Sequence, residues 1–223
     1  MKSSMNISKV HCPPHLRCLV PVLKRWIKLN GQLAEQWYKH EDCPWWYKER
    51  ALLGTFCGSL WLSRSVLLEE YSDSKRGVNR RGQLTPNTSY TGRVDLYFEV
   101  GKQRFVAESK HVWVPATSGK QQKDNIKACI ERTSGDVGQI APDGDVRRLA
   151  IVFAVPYIRS KGKSPLTPRD LKDKVLWSVK QAQISESYAM AWAFPRLGRY
   201  GKYKGSVYPG VIMLLKEVKR APH

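Results

Sequence analysis

No apolar run in this chain of 223 residues approaches the roughly 18 residues that a membrane-spanning helix requires, so no spanning segment is expected. The opening stretch, MKSSMNISKVHCPPHLRC, has no apolar signal core, which argues against secretion and for a cytoplasmic setting. Cysteine is sparse and odd in number: five residues without a paired framework, as expected of reduced thiols rather than a disulfide scaffold. The five histidines, at 11, 15, 40, 111 and 223, sit beside no nucleophile motif, which argues against a Ser/His/Asp or Cys/His hydrolase. No internal repeat or low-complexity tract is present. Acidic residues are also scarce. Nineteen Asp+Glu face 38 Lys+Arg, a net charge of +19. Such an excess repels itself in the free protein and points to a polyanionic partner, nucleic acid first and an acidic membrane surface second.

What is present suits one large domain, or one domain with a short appendage. Hydrophobic residues make up 42%, with eight Trp and ten Tyr, enough for a substantial core. Residues 1–21 read as an irregular basic tail broken by Pro13, Pro14 and Pro21, and residues 22–223 as a single domain. A helix is predicted over 22–38, with Leu23, Trp26, Ile27, Leu33 and Trp37 on one side, and a buried helix over 45–62 after Asp42-Cys43-Pro44. SVLLEEY (65–71) reads as a strand and the polar stretch 72–90 as a long connection. Two strands, 93–100 and 104–114, flank the tight turn Gly101-Lys102. A helix follows over 120–133, with Ile126, Cys129 and Ile130 as its apolar stripe. RLAIVFAVP (148–156) is nearly continuous in apolar character, as a central strand buried on both faces would be. The rest, 157–223, is a basic extension: a loop over 159–169, a helix from Thr167-Pro168 to 181, strands near 188–194 and 207–218, and a Gly-rich basic-aromatic loop over 196–205. The order describes an α/β sandwich core with additions at both ends.

The chemistry concentrates in GRVDLYFEVGKQRFVAESKHVWV, residues 92–114. Residues i and i+2 of a strand share a face, so Glu108 and Lys110 project together, beside Asp95 on the neighbouring strand. Two carboxylates and an ammonium there can hold a divalent metal and steady an anionic nucleophile. The bland alternative is an ion-pair ladder on a solvated face. Against it, the charged triplet interrupts an apolar strand between Phe105-Val106-Ala107 and Val112-Trp113-Val114, where charge is costly without a partner or a task. The other Glu-x-Lys, Glu217-Val218-Lys219, has no Asp in the stretch before it. His111 should point to the opposite face from Lys110.

With these residues in this order, residues 45–156 resemble the PD-(D/E)XK nuclease superfamily, the restriction-endonuclease-like fold. The resemblance implies an α/β fold with an α-β-β-β-α-β core, its mixed sheet flanked by helices. It covers half the chain, and Val94 stands where the founding motif has Pro. It implies Mg²⁺, with Mn²⁺ as a substitute, held by Asp95, Glu108 and the Ser109 backbone carbonyl, and a water activated by the metal and oriented by Lys110. Glu49 sits where many members carry an acidic residue on the first core helix, with Glu69 and Glu70 as competitors for that role.

Phosphate contacts are expected from Lys120, Lys123 and Lys127 at helical spacing, from Arg159, Lys161 and Lys163, and from Arg196, Arg199, Lys202 and Lys204. Tyr200 and Tyr203 could stack on bases. Each run taken singly is equally well a solvated charged face. The N-terminal His11, Cys12, His15 and Cys18, with His40 and Cys43 nearby, lack any standard zinc spacing and read first as a flexible tail. The chain therefore reads as a metal-dependent nuclease, of DNA before RNA. The alternatives are a non-catalytic nucleic-acid-binding protein and a subunit active only in a larger mobile-element or phage-defence complex. Cutting both strands would call for a homodimer, and no interface is legible.

Overall fold

The computed structural model describes residues 6–40, 42–78, 84–141, 144–159, 167–195, 202–203 and 205–219. In chain order these form β1 (Ile7–His11), α1 (Val20–Trp37), α2 (Glu49–Leu62), β2 (Leu67–Val78), β3 (Leu84–Val100), β4 (Gln103–Pro115), α3 (Gly119–Gly138) and β5 (Arg147–Arg159). There follow α4 (Pro168–Ala182), β6 (Ala189–Phe194), β7 (Lys202–Tyr203), β8 (Ser206–Val207) and β9 (Val211–Val218). The fold is α/β: an open mixed sheet in the order β1-β6-β9-β5-β4-β3-β2, flanked by helices. The pair β4 and β5 is parallel, joined through α3, and the other neighbours on this path are antiparallel.

Period-2 alternation assigns the two faces. Leu149, Ile151, Phe153 and Val155 of β5 join Trp26 of α1 and Phe56 of α2 in the largest core cluster. Val152 and Ala154 turn the other way, onto Ile126 and Ile130 of α3 and Val175 and Val179 of α4. Residues 148–156 are buried throughout, which is why their sequence shows no polar face. Gly101, at φ +60, opens the two-residue turn between the paired Val100 and Gln103; a side chain would be strained there.

Three segments differ from expectation. Ile7–His11 is an edge strand on β6, and Leu16 and Leu19 are wholly buried, where an irregular tail is expected; too few residues alternate there for the pattern to show. The expected connection 72–90 is largely the arm of the β2–β3 hairpin, whose polar sequence reflects a ribbon with little core to face. The helix expected from Trp45 splits: Pro44–Trp46 is a 3-10 turn, Lys48 is extended, and α2 starts at Glu49. Among the described residues no helix is long and apolar enough to cross a membrane.

Candidate active site

The site is built where β3 leaves β4. The ladder pairs Val100 with Gln103 through to Leu96 with Ala107 and ends there, while β4 continues to Pro115 against β5 alone among the described strands. In a continued ladder the next β4 donors would meet β3. Instead the Asp95 carboxylate accepts from the Ser109 backbone N–H at 2.8 Å and from its hydroxyl at 3.2 Å. Two residues on, the His111 backbone N–H faces Glu49 at the start of α2 and helps to hold that carboxyl's pKa down. A residue's N–H and C=O point to the same side of a strand, so the Ser109 carbonyl faces the same unpaired side, on a residue that is wholly buried. Asp95, Glu49 and the Ser109 backbone thus share one stretch of strand edge.

Glu108 and Lys110 lie on the α3 face beside that edge, and His111 lies on the other face, edge-on to Trp113 at 4.8 Å, as alternation predicts. Glu108 is 6% exposed and its pKa is raised to about 7, first by burial and then by the nearby Asp95, against the pull of Lys75 and Lys110. Lys75 of β2 donates to Glu108 Oε1 at 2.6 Å. Its side chain crosses Gly92 on β3, where a Cβ would stand 2.8 Å from Lys75 Cδ, so glycine leaves the passage open. For Lys110, burial disfavours the ammonium, but Glu49, Asp136, Asp95 and Glu108 outweigh it and raise the pKa. Asp136, near the end of α3, stands 3.5 Å from Lys110 Nζ. Burial, and then Asp95, raises the Glu49 pKa, while Lys110 and the His111 N–H oppose the shift. Burial, and then Lys48, lowers the His111 pKa.

No family description, no curated protein and no solved structure matches this chain.

Among the described residues no three His, Cys, Asp or Glu side chains stand close enough to hold a metal together. The donors at the β4 edge are of another kind: two carboxylates, each with one oxygen outside the bonds above, and a main-chain carbonyl. Hard oxygens in that number, completed by water, suit Mg²⁺. Of the competing acids, Glu70 pairs with Arg50 and stands 3.9 Å from Arg93, and Glu69 lies near Cys57, whose thiol pKa it helps to raise. Glu49 lies in the field of Lys110 and Asp95.

The expected phosphate contacts lie elsewhere. Lys120, Lys123 and Lys127 are exposed along α3, about 14 to 24 Å from Asp136 by helical rise. Arg159 ends β5, about 30 Å along the strand from Ala150, the register partner of Glu108, and its guanidinium lies 5.9 Å from the Tyr157 ring centroid. Lys202 and Tyr203 form β7, which pairs with β8 and through it with that same end of β5. Lys161, Lys163, Arg196, Arg199, Tyr200 and Lys204 lie outside the described residues.

The histidines and cysteines near the N-terminus have separate partners. His11 faces Glu186 at 3.5 Å, His15 faces Glu217 at 3.8 Å, and the Cys12 thiol donates to the Leu16 carbonyl. Burial, followed by the neighbouring Cys18, pushes the Cys12 thiol up to about 11. Cys57 and Cys129 are core residues, as expected.

Proposed function

We propose that this chain is a divalent-metal-dependent nuclease of the PD-(D/E)XK type, hydrolysing phosphodiester bonds, in DNA before RNA. One observation carries the reading: past Leu96 and Ala107 the ladder opens, the freed Ser109 N–H of β4 donates to Asp95, and Lys110 lies in the field of Glu49, Asp95 and Glu108. The succession α2, β2, β3, β4, α3, β5 supports it, being the α-β-β-β-α-β order of that superfamily, with Asp95 on the second core strand and Glu108 and Lys110 on the third.

In this reading Asp95, Glu108 and the Ser109 carbonyl hold Mg²⁺ or Mn²⁺, which supplies Lewis acidity toward a water and the phosphate oxygens. Lys110 keeps its proton at neutral pH and donates to an attacking water or to a charged phosphate oxygen. Glu49 positions Lys110 and braces the β4 edge through the His111 N–H. The exposed lysines of α3 and the basic end of β5 take phosphates more distant on the strand.

The deciding experiment incubates supercoiled plasmid with the protein in Mg²⁺ or Mn²⁺, beside Asp95→Ala and Lys110→Ala. Metal-dependent cutting should fall at least a hundredfold in both variants. Cutting that survives both variants would refute the assignment. A second reading, a nucleic-acid-binding protein without catalysis, draws on one observation: Lys75 with Glu108 and Lys110 with Asp136 form ion pairs that could hold the sheet by themselves. Binding without cutting in all three proteins would favour it, or a subunit that requires its complex.

A further inference from the structure

Beside the unpaired edge of β4, on the face opposite Glu108 and Lys110, lies a cavity of about 390 Å³ lined by His40, Asp42, Trp46, Tyr47, Trp113 and Tyr208. Four of these six residues are Trp or Tyr. Trp113 and Tyr208 meet edge to face, with ring centroids 4.8 Å apart. The Trp45 indole N–H donates to the Tyr208 carbonyl at 2.8 Å, fixing the backbone that carries that ring. Tyr47 is 49% exposed, yet its hydroxyl donates to Asp42 Oδ2 at 2.8 Å, so an open aromatic face is held in a defined place. Asp42 Oδ1 accepts from the Cys43 N–H at 2.7 Å, which holds the carboxylate at the rim.

The cavity adjoins the cluster through the chain itself. Tyr47 precedes Glu49 by two residues. Trp113 follows Lys110 by three, about 10 Å of strand, and touches His111, whose N–H serves Glu49. Both features use the stretch of β4 that β3 has left. The space is at the lower end of the range for small-ligand pockets. A chain of net charge +19 disfavours a cationic occupant and favours a polyanion.

We infer that this aromatic cavity seats one unpaired nucleobase of a strand whose backbone lies at the Asp95–Lys110 cluster, so that the substrate is single-stranded or locally unpaired. The inference rests on the nuclease reading for where the backbone lies. The ring faces of Trp113, Tyr208 and Tyr47 supply stacking, which tolerates any base, and the Asp42 carboxylate accepts from an exocyclic amine. A fully paired duplex has no base to offer and binds more weakly.

The test is made in EDTA, where metal-dependent cutting is silent. Single-stranded oligonucleotides carry one 2-aminopurine at successive positions. Quenching should appear at one position, and an abasic nucleotide placed there should weaken binding about tenfold. Tyr47→Ala, at an exposed position, should cost about the same and make the abasic nucleotide nearly neutral; Trp113→Leu, with folding checked by circular dichroism, should do likewise. Equal quenching at all positions, or an abasic penalty unchanged in Tyr47→Ala, would overturn the inference. So would quenching of the protein's tryptophans by tetramethylammonium, but not by the oligonucleotide, in a Tyr47-dependent manner; that result would make the cavity a cation cage. Cutting of the same single-stranded oligonucleotides, assayed in parallel in Mg²⁺, separates the two proposals. Position-specific stacking without cutting would uphold the base site and remove the nuclease. Cutting indifferent to Tyr47→Ala and to the abasic nucleotide would do the reverse.

Discussion

Lys75→Met isolates the energetics of the buried Glu108. In the folded protein Glu108 ionises at about pH 7 rather than at 4.5, chiefly because burial strips its hydration. A carboxyl with a raised folded pKa holds its proton more tightly folded than unfolded. Between pH 4.5 and 7 the folded state therefore carries more protons, and stability falls as pH rises, by about 3 kcal/mol across the window. Lys75 limits that loss, because its hydrogen bond and its charge both pull the Glu108 pKa down. Without Lys75 the folded pKa climbs beyond 7, and each added unit deepens the alkaline loss by about 1.4 kcal/mol. At pH 5 Glu108 is protonated with or without Lys75, and the substitution removes one hydrogen bond, worth about 1 kcal/mol net. The expected penalty is about 1 kcal/mol at pH 5 and about 3 kcal/mol at pH 8.5, the latter in the range for removing one partner of a buried ion pair. Urea unfolding of both proteins at the two pH values measures it. Penalties that are equal, or larger at pH 5, would refute the reasoning and place Glu108 among ordinary carboxylates.

Three other outcomes are expected. Glu49→Gln should lower metal-dependent cutting about 10- to 100-fold, the usual cost of losing a positioning group; cutting at full rate would move the role to Glu70. Nucleic-acid affinity measured by anisotropy should fall by about three orders of magnitude or more between roughly 50 and 200 mM salt if six or more phosphates are engaged, and a flat response would remove the basic residues from the interface. Glu217→Gln should destabilise by about 1 to 3 kcal/mol at pH 7, read by thermal or urea unfolding. Its pKa is lowered by Arg147, so that stability is present above pH 4.5 and is lost as pH falls through the folded value; a penalty undiminished in acid would be inconsistent with this.

The residues legible in the sequence are those whose surroundings are apolar. Glu108 and Lys110 stand out because they interrupt a strand whose other residues alternate into two cores, and Asp95 because a two-residue turn places it on the next strand. Glu49 came only from the family resemblance, since a helix start carries acidic residues for many reasons. Lys75 and Asp136 gave no signal. Lys75 lies in a polar stretch whose strand shows little apolar alternation, and its burial depends on Gly92 and on the segment after α3, where Arg76 N–H donates to the Gln139 carbonyl at 2.7 Å. Asp136 lies past Ser134-Gly135, which reads as a helix stop, yet α3 runs on to Gly138 because Val137 and Ile140 reach a buried cluster with Val94 and Val106. Both residues are fixed by tertiary contact, which no local pattern encodes.

The two Glu-x-Lys sequences of this chain separate a structural ion pair from a poised one. Glu217 takes two bonds from the Arg147 guanidinium, at 2.8 and 2.7 Å, and its pKa is lowered, so the charged pair is the stable form at neutral pH. Glu108 also has a cation at hydrogen-bond distance, yet its pKa is raised. One ammonium does not offset the burial, and Asp95 beside it adds repulsion. An apolar residue at 108, in line with Val106 and Val112, would remove that cost, as replacements of buried ion pairs often do. A carboxylate that destabilises the sheet at neutral pH, beside a second carboxylate and an unpaired strand edge, does little for the fold and is suited to a ligand that brings positive charge. The sign of the shift, opposite to that at Glu217, is not what a structural ion-pair ladder would produce, and it is the sign that the proposed metal site calls for.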